Sequence, residues 1–230
     1  GLGASQEIDQ VGMARPVTKG AWMISDARRI PDMFAQAFRT ALSGRRGPVH
    51  MTIPLDVQMA EVDGDVWSYE PVQYRAAGVM QGDPSRVKEA ADLLQAAEMP
   101  VIVAGNGAYS VTGEELSRLV EVTGIPLFTE EAARGIVPDS HPLCFGMADG
   151  RVTPVARFQA EADVLLLLGK KIDFTMDFGE PPAVKADVKI VQVEPSADLI
   201  GLSRGVDVAV QGDVGAVVRQ LADECDGRSW

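Results

Sequence analysis

The chain has 230 residues, 46% hydrophobic and 23% charged, an ordinary balance for a soluble globular protein of one large or two modest domains with a real core. A net charge of −12 leaves no basic surplus to neutralise phosphates, which excludes an electrostatic nucleic-acid binder. The longest wholly apolar run, residues 164–168, is far too short to span a bilayer.

Residues 1–10 read as a loop or helix start, and residues 9–14 as one short helical turn that Arg15-Pro16 ends. Residues 21–25 are apolar enough for a strand. Asp26 then offers an N-cap, and Ile30, Met33, Phe34, Ala37, Phe38 and Ala41 recur at three- and four-residue steps, so one inward helix face is expected, stopped by Gly44. A second strand is expected over residues 48–53, closed by Pro54, which lacks a ladder donor. Strand, helix, strand in this order predicts a βαβ crossover with parallel strands. Residues 61–82 carry glycine, proline and aromatics with no sustained period and read as a linker pinned to a surface by Trp67, Tyr69 and Tyr74.

From Asp83 the alternation is regular. Asp83-Pro84 starts a helix with Val87, Ala90, Ala91, Leu94 and Ala97 on one face, and strand 101–104 follows. Gly105-Asn106-Gly107 makes a turn. Thr112 and Glu115 are spaced as a capping box, Gly124 stops that helix, and strand 125–129 comes next. Residues 130–150 read as a long loop, and a helix is expected from Thr153 to about Asp163. Strands over 164–168, 188–193 and 208–210 complete the set, with Asp213 capping a last helix that buries Val214, Val217, Val218 and Leu221. The expected fold class is α/β: a doubly wound, Rossmann-like, mostly parallel sheet over residues 83–230, preceded by a partial α/β unit over 1–60.

Ligands of open parallel sheets bind at the carboxyl ends of the strands. Those ends carry Gly105-Asn106-Gly107, Gly169-Lys170-Lys171-Ile172-Asp173, Glu194-Pro195-Ser196 and Gly212-Asp213. Glycine lets backbone approach a phosphate, lysine neutralises it, and an acid at a strand end holds ribose hydroxyls. Alone, each has a structural explanation: Ser110 breaks the GxGxxG spacing, Asp213 serves as an N-cap, and Glu194 ends its strand. Together they suggest a nucleotide cradle. Two histidines, His50 and His141, and two cysteines, Cys144 and Cys225, show no metal-ligand or nucleophile spacing, so no metal site is expected and a reducing, cytoplasmic setting suits the thiols. No reaction type follows from spacing.

Three stretches resemble the thiamine-diphosphate (ThDP) enzymes of the acetolactate synthase, benzaldehyde lyase and 2-hydroxyacyl-CoA lyase type. They are SQEIDQVGMARPVTK at 5–19, AFRTALSGRRGPVHMTIPLDV at 37–57, and the series VIVAGNG, VLLLLGKKID, VQVEPS, QGDV. That resemblance implies the end of a pyrimidine-binding domain over 1–60, a linker over 61–82 and a whole central domain over 83–230. The chain opens on Gly-Leu-Gly, in what reads as the middle of a fold, so a fragment of a longer enzyme is expected. The family's activating glutamate and its Gly-Asp-Gly…Asn motif for Mg²⁺ and diphosphate are expected outside these residues, which implies an inactive isolated fragment. By resemblance, Gln6 faces the reacting carbon in the complete active site. Arg45, Gly105, Gly107, Lys171, Asp173, Glu194 and Asp213 match cofactor-contacting positions, with Asn106 between the glycines, for FAD, ADP or CoA. Lys171 replaces an arginine and loses its phosphate fork. Leu55 replaces the lysine of acetolactate synthases, which places the chain nearer the lyases. The implied parent enzyme is a ThDP- and Mg²⁺-dependent carboligase or lyase of 2-keto or 2-hydroxy acids, a homodimer or homotetramer. The rival reading is a non-catalytic nucleotide-binding or bridging domain.

Overall fold

The structure is a computed structural model that describes every residue except 1, 2, 4, 6, 65, 67, 76, 77 and 227–230. The chain divides into two compact units, residues 1–78 and 79–230. The division falls inside the aperiodic segment 61–82.

In the first unit Asp9 caps α1 (Gln10–Ala14) by accepting from Gly12 N–H at 2.8 Å. Strands β1 (Ala21–Met23) and β2 (His50–Thr52) pair in parallel, joined through α2 (Ile30–Leu42). Asp26 caps the 3₁₀ turn Ala27–Arg29 that leads into this helix, accepting from Arg28 N–H at 2.9 Å. Gly44, just past its end, sits at φ 52°, the left-handed conformation expected of a C′ glycine. The helix face differs from the periodic expectation. Met33, Ala35 and Ala37 are buried, whereas Phe34 and Phe38 are exposed. Phe38 instead meets the segment expected to be a linker pinned by its aromatics, which forms the short helix α4 (Pro71–Tyr74). The Tyr74 ring lies 6.3 Å from that of Phe38, and the Arg75 guanidinium 5.7 Å over it. Pro54 ends β2 and starts α3 (Leu55–Met59), whose Val57 joins Ile24 and Met33 in a small core.

In the second unit the helices α5 (Pro84–Ala96), α6 (Gly113–Thr123) and α7 (Val214–Cys225) begin at the expected caps. Asp83 accepts from Ser85 N–H at 2.8 Å, Glu115 N–H donates to Thr112 at 3.2 Å, and Ala216 N–H to Asp213 at 3.0 Å. The strands are β3 (Pro100–Ala104), β4 (Leu127–Thr129), β5 (Cys144–Met147), β6 (Val164–Leu168), β7 (Lys189–Glu194) and β8 (Val208–Gln211). β5 corrects the reading of 130–150 as one long loop: Cys144 and Met147 pair with Leu127 and Thr129 at the sheet edge. A short edge strand needs no buried alternation, and Phe145 is exposed, so it left no period-two signal. The helix expected after Thr153 is a 3₁₀ run, Pro154–Glu161.

The six strands are all parallel and ordered β5-β4-β3-β6-β7-β8. Counted within the unit this is 3-2-1-4-5-6, the doubly wound order, with its switch point between β3 and β6. Alternate residues feed two cores. Ile102, Ala104, Leu166 and Leu168 pack with α5, α6 and α7, while Val101, Val103, Leu165 and Leu167 pack with Ile172, Met176 and Val184.

Candidate functional site at the carboxyl edge

At the switch point the loops after β3 and β6 close on each other. Gly105 N–H donates to Leu168 O at 3.0 Å, and Gly107 N–H to Gly169 O at 2.8 Å. Gly169 has φ 57°, and a Cβ there would lie 2.4 Å from Gly107 Cα. A Cβ on Gly105 would meet Lys170 Cα at 2.8 Å. The glycine requirement is therefore met by the protein's own backbone. Asn106 is exposed; its Oδ1 accepts from Ala132 N–H at 2.9 Å and its amide donates to Glu131, tying the loop after β3 to the turn after β4.

The charged centre of this edge is Lys170, which is 3% exposed, rather than its neighbour Lys171, which is half-buried. Lys170 Nζ donates at 2.8 Å to Asp173 Oδ1, Thr175 Oγ1 and Lys171 O, and stands 3.1 Å from Glu130 Oε2. Thr175 Oγ1 also lies 3.0 Å from Glu130 Oε2 and 2.7 Å from Asp173 Oδ1, within reach to donate its one proton to either carboxylate. Burial alone would raise the Asp173 carboxyl; hydrogen bonds from Lys170 and Thr175 outweigh it and hold the group below its ordinary range. Glu130 Oε1 is buried without a hydrogen-bond partner, as is Gln159 Oε1, which lines a cavity of about 230 Å³ together with Asp149, Arg151 and Thr175. Three non-glycine residues with positive φ, Glu131 at 48°, Asp177 at 45° and Phe178 at 56°, lie in the turns beside this cluster. Strain of this kind persists where surrounding structure over-determines the backbone.

Sequence reasoning missed Glu130, and of the two strand-end lysines it carried Lys171 forward as the contact rather than Lys170. Glu130 opens a segment expected to be loop, and nothing in the pair Lys170-Lys171 says which side chain turns inward.

The remaining candidates are placed separately. Glu194 is fully buried at the end of β7, its Oε1 3.4 Å from Ser196 N. Asp213 is half-buried and caps α7, behind Gly212, where a Cβ would meet Gly82 N at 3.0 Å. Arg45 belongs to the first unit, where its carbonyl accepts from Lys19 Nζ at 2.9 Å. Gln6 lies outside the described residues. Among the described residues no three His, Cys, Asp or Glu could hold a metal ion together, and Cys144 and Cys225 are buried with neither in a disulfide. No helix among them is long and apolar enough to cross a membrane.

The family model described as the thiamine pyrophosphate enzyme central domain matches residues 87–221. A probable acetolactate synthase large subunit of Methanococcus aeolicus is 33% identical over 98% of this chain and 38% of its own length. The 2-hydroxyacyl-CoA lyase 1 of Mus musculus is 32% identical over all of this chain and 38% of its own length. The crystal structure of benzoylformate decarboxylase from Polynucleobacter necessarius superposes with a TM-score of 0.72 at 18% identity, over 96% of this chain and 41% of that one. The chain thus spans well under half the length of the relatives it matches.

Proposed function

We propose, from the premise that the chain belongs to the thiamine pyrophosphate enzyme family through its central domain, that it is part of a ThDP- and Mg²⁺-dependent carboligase or lyase of 2-keto or 2-hydroxy acids. The observation that carries this reading is the match of the family model over residues 87–221, which contains all six strands of the sheet. The two relatives, at 33% and 32% identity, support a synthase and a lyase about equally. Leu55 tips the reading toward lyase chemistry.

Bound ThDP supplies a nucleophilic carbon and an electron sink for cleavage beside a carbonyl. By the same resemblance the motif that holds Mg²⁺ and diphosphate is expected outside these residues, so those contacts are assigned to none of them. Gln6 is proposed to donate a hydrogen bond to a substrate oxygen, where charge develops. The sheet's part is positioning. If the central domain holds FAD, ADP or a CoA group, its candidate contacts are the half-buried Lys171, Asp173 and Asp213, with Arg45, Gly105, Asn106, Gly107 and Glu194 completing the set. A cytoplasmic homodimer or homotetramer belongs to the same reading.

The self-packing of Gly105, Gly107 and Gly169 favours a second reading for the central domain, as a bridge that holds no nucleotide. Calorimetric titration with FAD, ADP and CoA separates the two: heat from any one supports the cradle, and silence from all three supports the bridge. The enzyme reading is tested on the full-length protein. ThDP- and Mg²⁺-dependent release of carbon dioxide or aldehyde from a 2-keto acid or 2-hydroxyacyl-CoA is expected, and no cofactor-dependent turnover of either class would sink it. The 230-residue chain alone is expected to turn over neither.

A further inference from the structure

The second unit carries a larger cavity at the opposite end of its sheet, of about 550 Å³. It sits at the amino ends of β3 and β4, remote from the carboxyl edge, and Met99, Val101, Ile125, Phe128, Phe145 and Phe158 are among the residues of its wall. We propose that this cavity is a binding site for a small, uncharged aromatic molecule.

Three observations carry this. The volume lies within the range of roughly 300–1,000 Å³ that suits compact organic ligands. The aromatic wall is built rather than incidental: Phe128 is buried in the core, and Phe145 stacks on it with centroids 5.9 Å apart. Phe158 is half exposed and carries the Arg157 guanidinium 5.6 Å over its ring, so it is held from one side while remaining open. A ring entering between such side chains finds the offset or edge contacts that aromatic pairs favour.

The polar groups of the wall point to the ligand's charge. Thr123 Oγ1 donates to Leu119 O at 2.7 Å and accepts from Ile125 N–H at 3.3 Å. Glu98 and Met99 give their N–H groups to the Asp163 carboxylate at 2.7 and 2.9 Å. These groups are satisfied within the protein and leave no polar demand for a ligand to meet. Glu98, the one charged residue among the described residues lining the cavity, is exposed, so its carboxylate stays in water and offers a ligand charge no buried partner. An uncharged ring system remains.

The test titrates the ¹⁵N-labelled 230-residue chain with indole, and with imidazole as a polar ring of little apolar area. Saturable shifts are expected for indole at the Val101, Ile125 and Phe128 amides, with none for imidazole. Phe158→Ala, at a half-exposed position that leaves the fold intact, is expected to weaken indole about tenfold through loss of one aromatic wall. Phe145→Ala gives a second, independent wall with the same expectation. Non-saturable shifts, shifts centred on Gly105 and Lys170, or equal response to imidazole would overturn the proposal. So would self-association of the chain that Phe158→Ala abolishes, since the face would then be covered by a second copy.

Discussion

Lys170 touches both Asp173 and Glu130 at the carboxyl edge, at 2.8 Å and 3.1 Å, and brings them a positive charge. Two charges 96–97% withdrawn from solvent are tolerated only while each answers the other. Lys170→Met would leave Glu130 buried beside its already unpartnered Oε1, and a loss of about 3–5 kcal/mol is expected in urea denaturation. Replacing both, Lys170→Met with Glu130→Leu, removes the stranded charge along with the pair, so the double variant is expected to be more stable than the single. Additive losses would show that the two side chains do not act as a pair. These residues also mark the limit of what single positions disclose. Adjacent lysines look equivalent along the chain; only the packing of the loop after β6 turns Lys170 under Gly105 and leaves Lys171 half out.

The element that decides the geometry of the site is the contact between the loops after β3 and β6. A Cβ at Gly169 meets two problems, φ 57° and Gly107 Cα at 2.4 Å. Gly124, which ends α6 at φ 65°, meets only the first, since nothing lies within 4 Å. Gly124→Ala is therefore expected to cost about 1–2 kcal/mol, the left-handed penalty alone. Gly169→Ala should exceed it by roughly 2 kcal/mol or more, because backbone must shift. Equal losses in thermal melts would remove the close approach as the reason for glycine at 169. The helices of this unit were legible because caps and apolar periods are local: Asp83, Thr112 with Glu115, and Asp213 all start helices where expected. β5 was not, because an edge strand of four residues with one buried position carries no pattern of its own. The face of α2 was misread for a related reason. Periodicity grouped Phe34 and Phe38 with the core, whereas Phe38 meets the short helix α4, whose local signals, Pro71 at its first position and Glu70 with Gln73 as a capping box, sit in a stretch too short to show an apolar period.

At the scale of the whole molecule the charge is −12, and several carboxylates are held below their ordinary values. For Asp163 and Asp207 burial alone would raise the value; backbone N–H donors outweigh it in both, with Lys189 adding to the effect at Asp207. A carboxylate whose folded value is depressed stabilises the fold above its unfolded value and loses that contribution as pH falls through the folded one. Stability is thus expected to hold near neutrality and fall as pH drops below about 4, the ordinary aspartate value. Urea midpoints followed between about pH 7 and 2.5 check this, and Asp163→Asn should flatten part of the slope. A midpoint that rises on acidification would show that relief of the net negative charge outweighs these local bonds.

The sequence by itself determined the kind of fold, because strands covered on both faces must be apolar throughout and helices between them must alternate at 3.6 residues. It also carried the family, through motifs spread over both units. Only the tertiary structure decided where the residues at the carboxyl edge sit. Glycines that suggested a phosphate cradle pack on each other, Glu194 is wholly buried, and the buried cation is Lys170 with Glu130 as its partner. Those outcomes depend on which loops approach across the switch point between strands distant in sequence, and no local pattern encodes that approach.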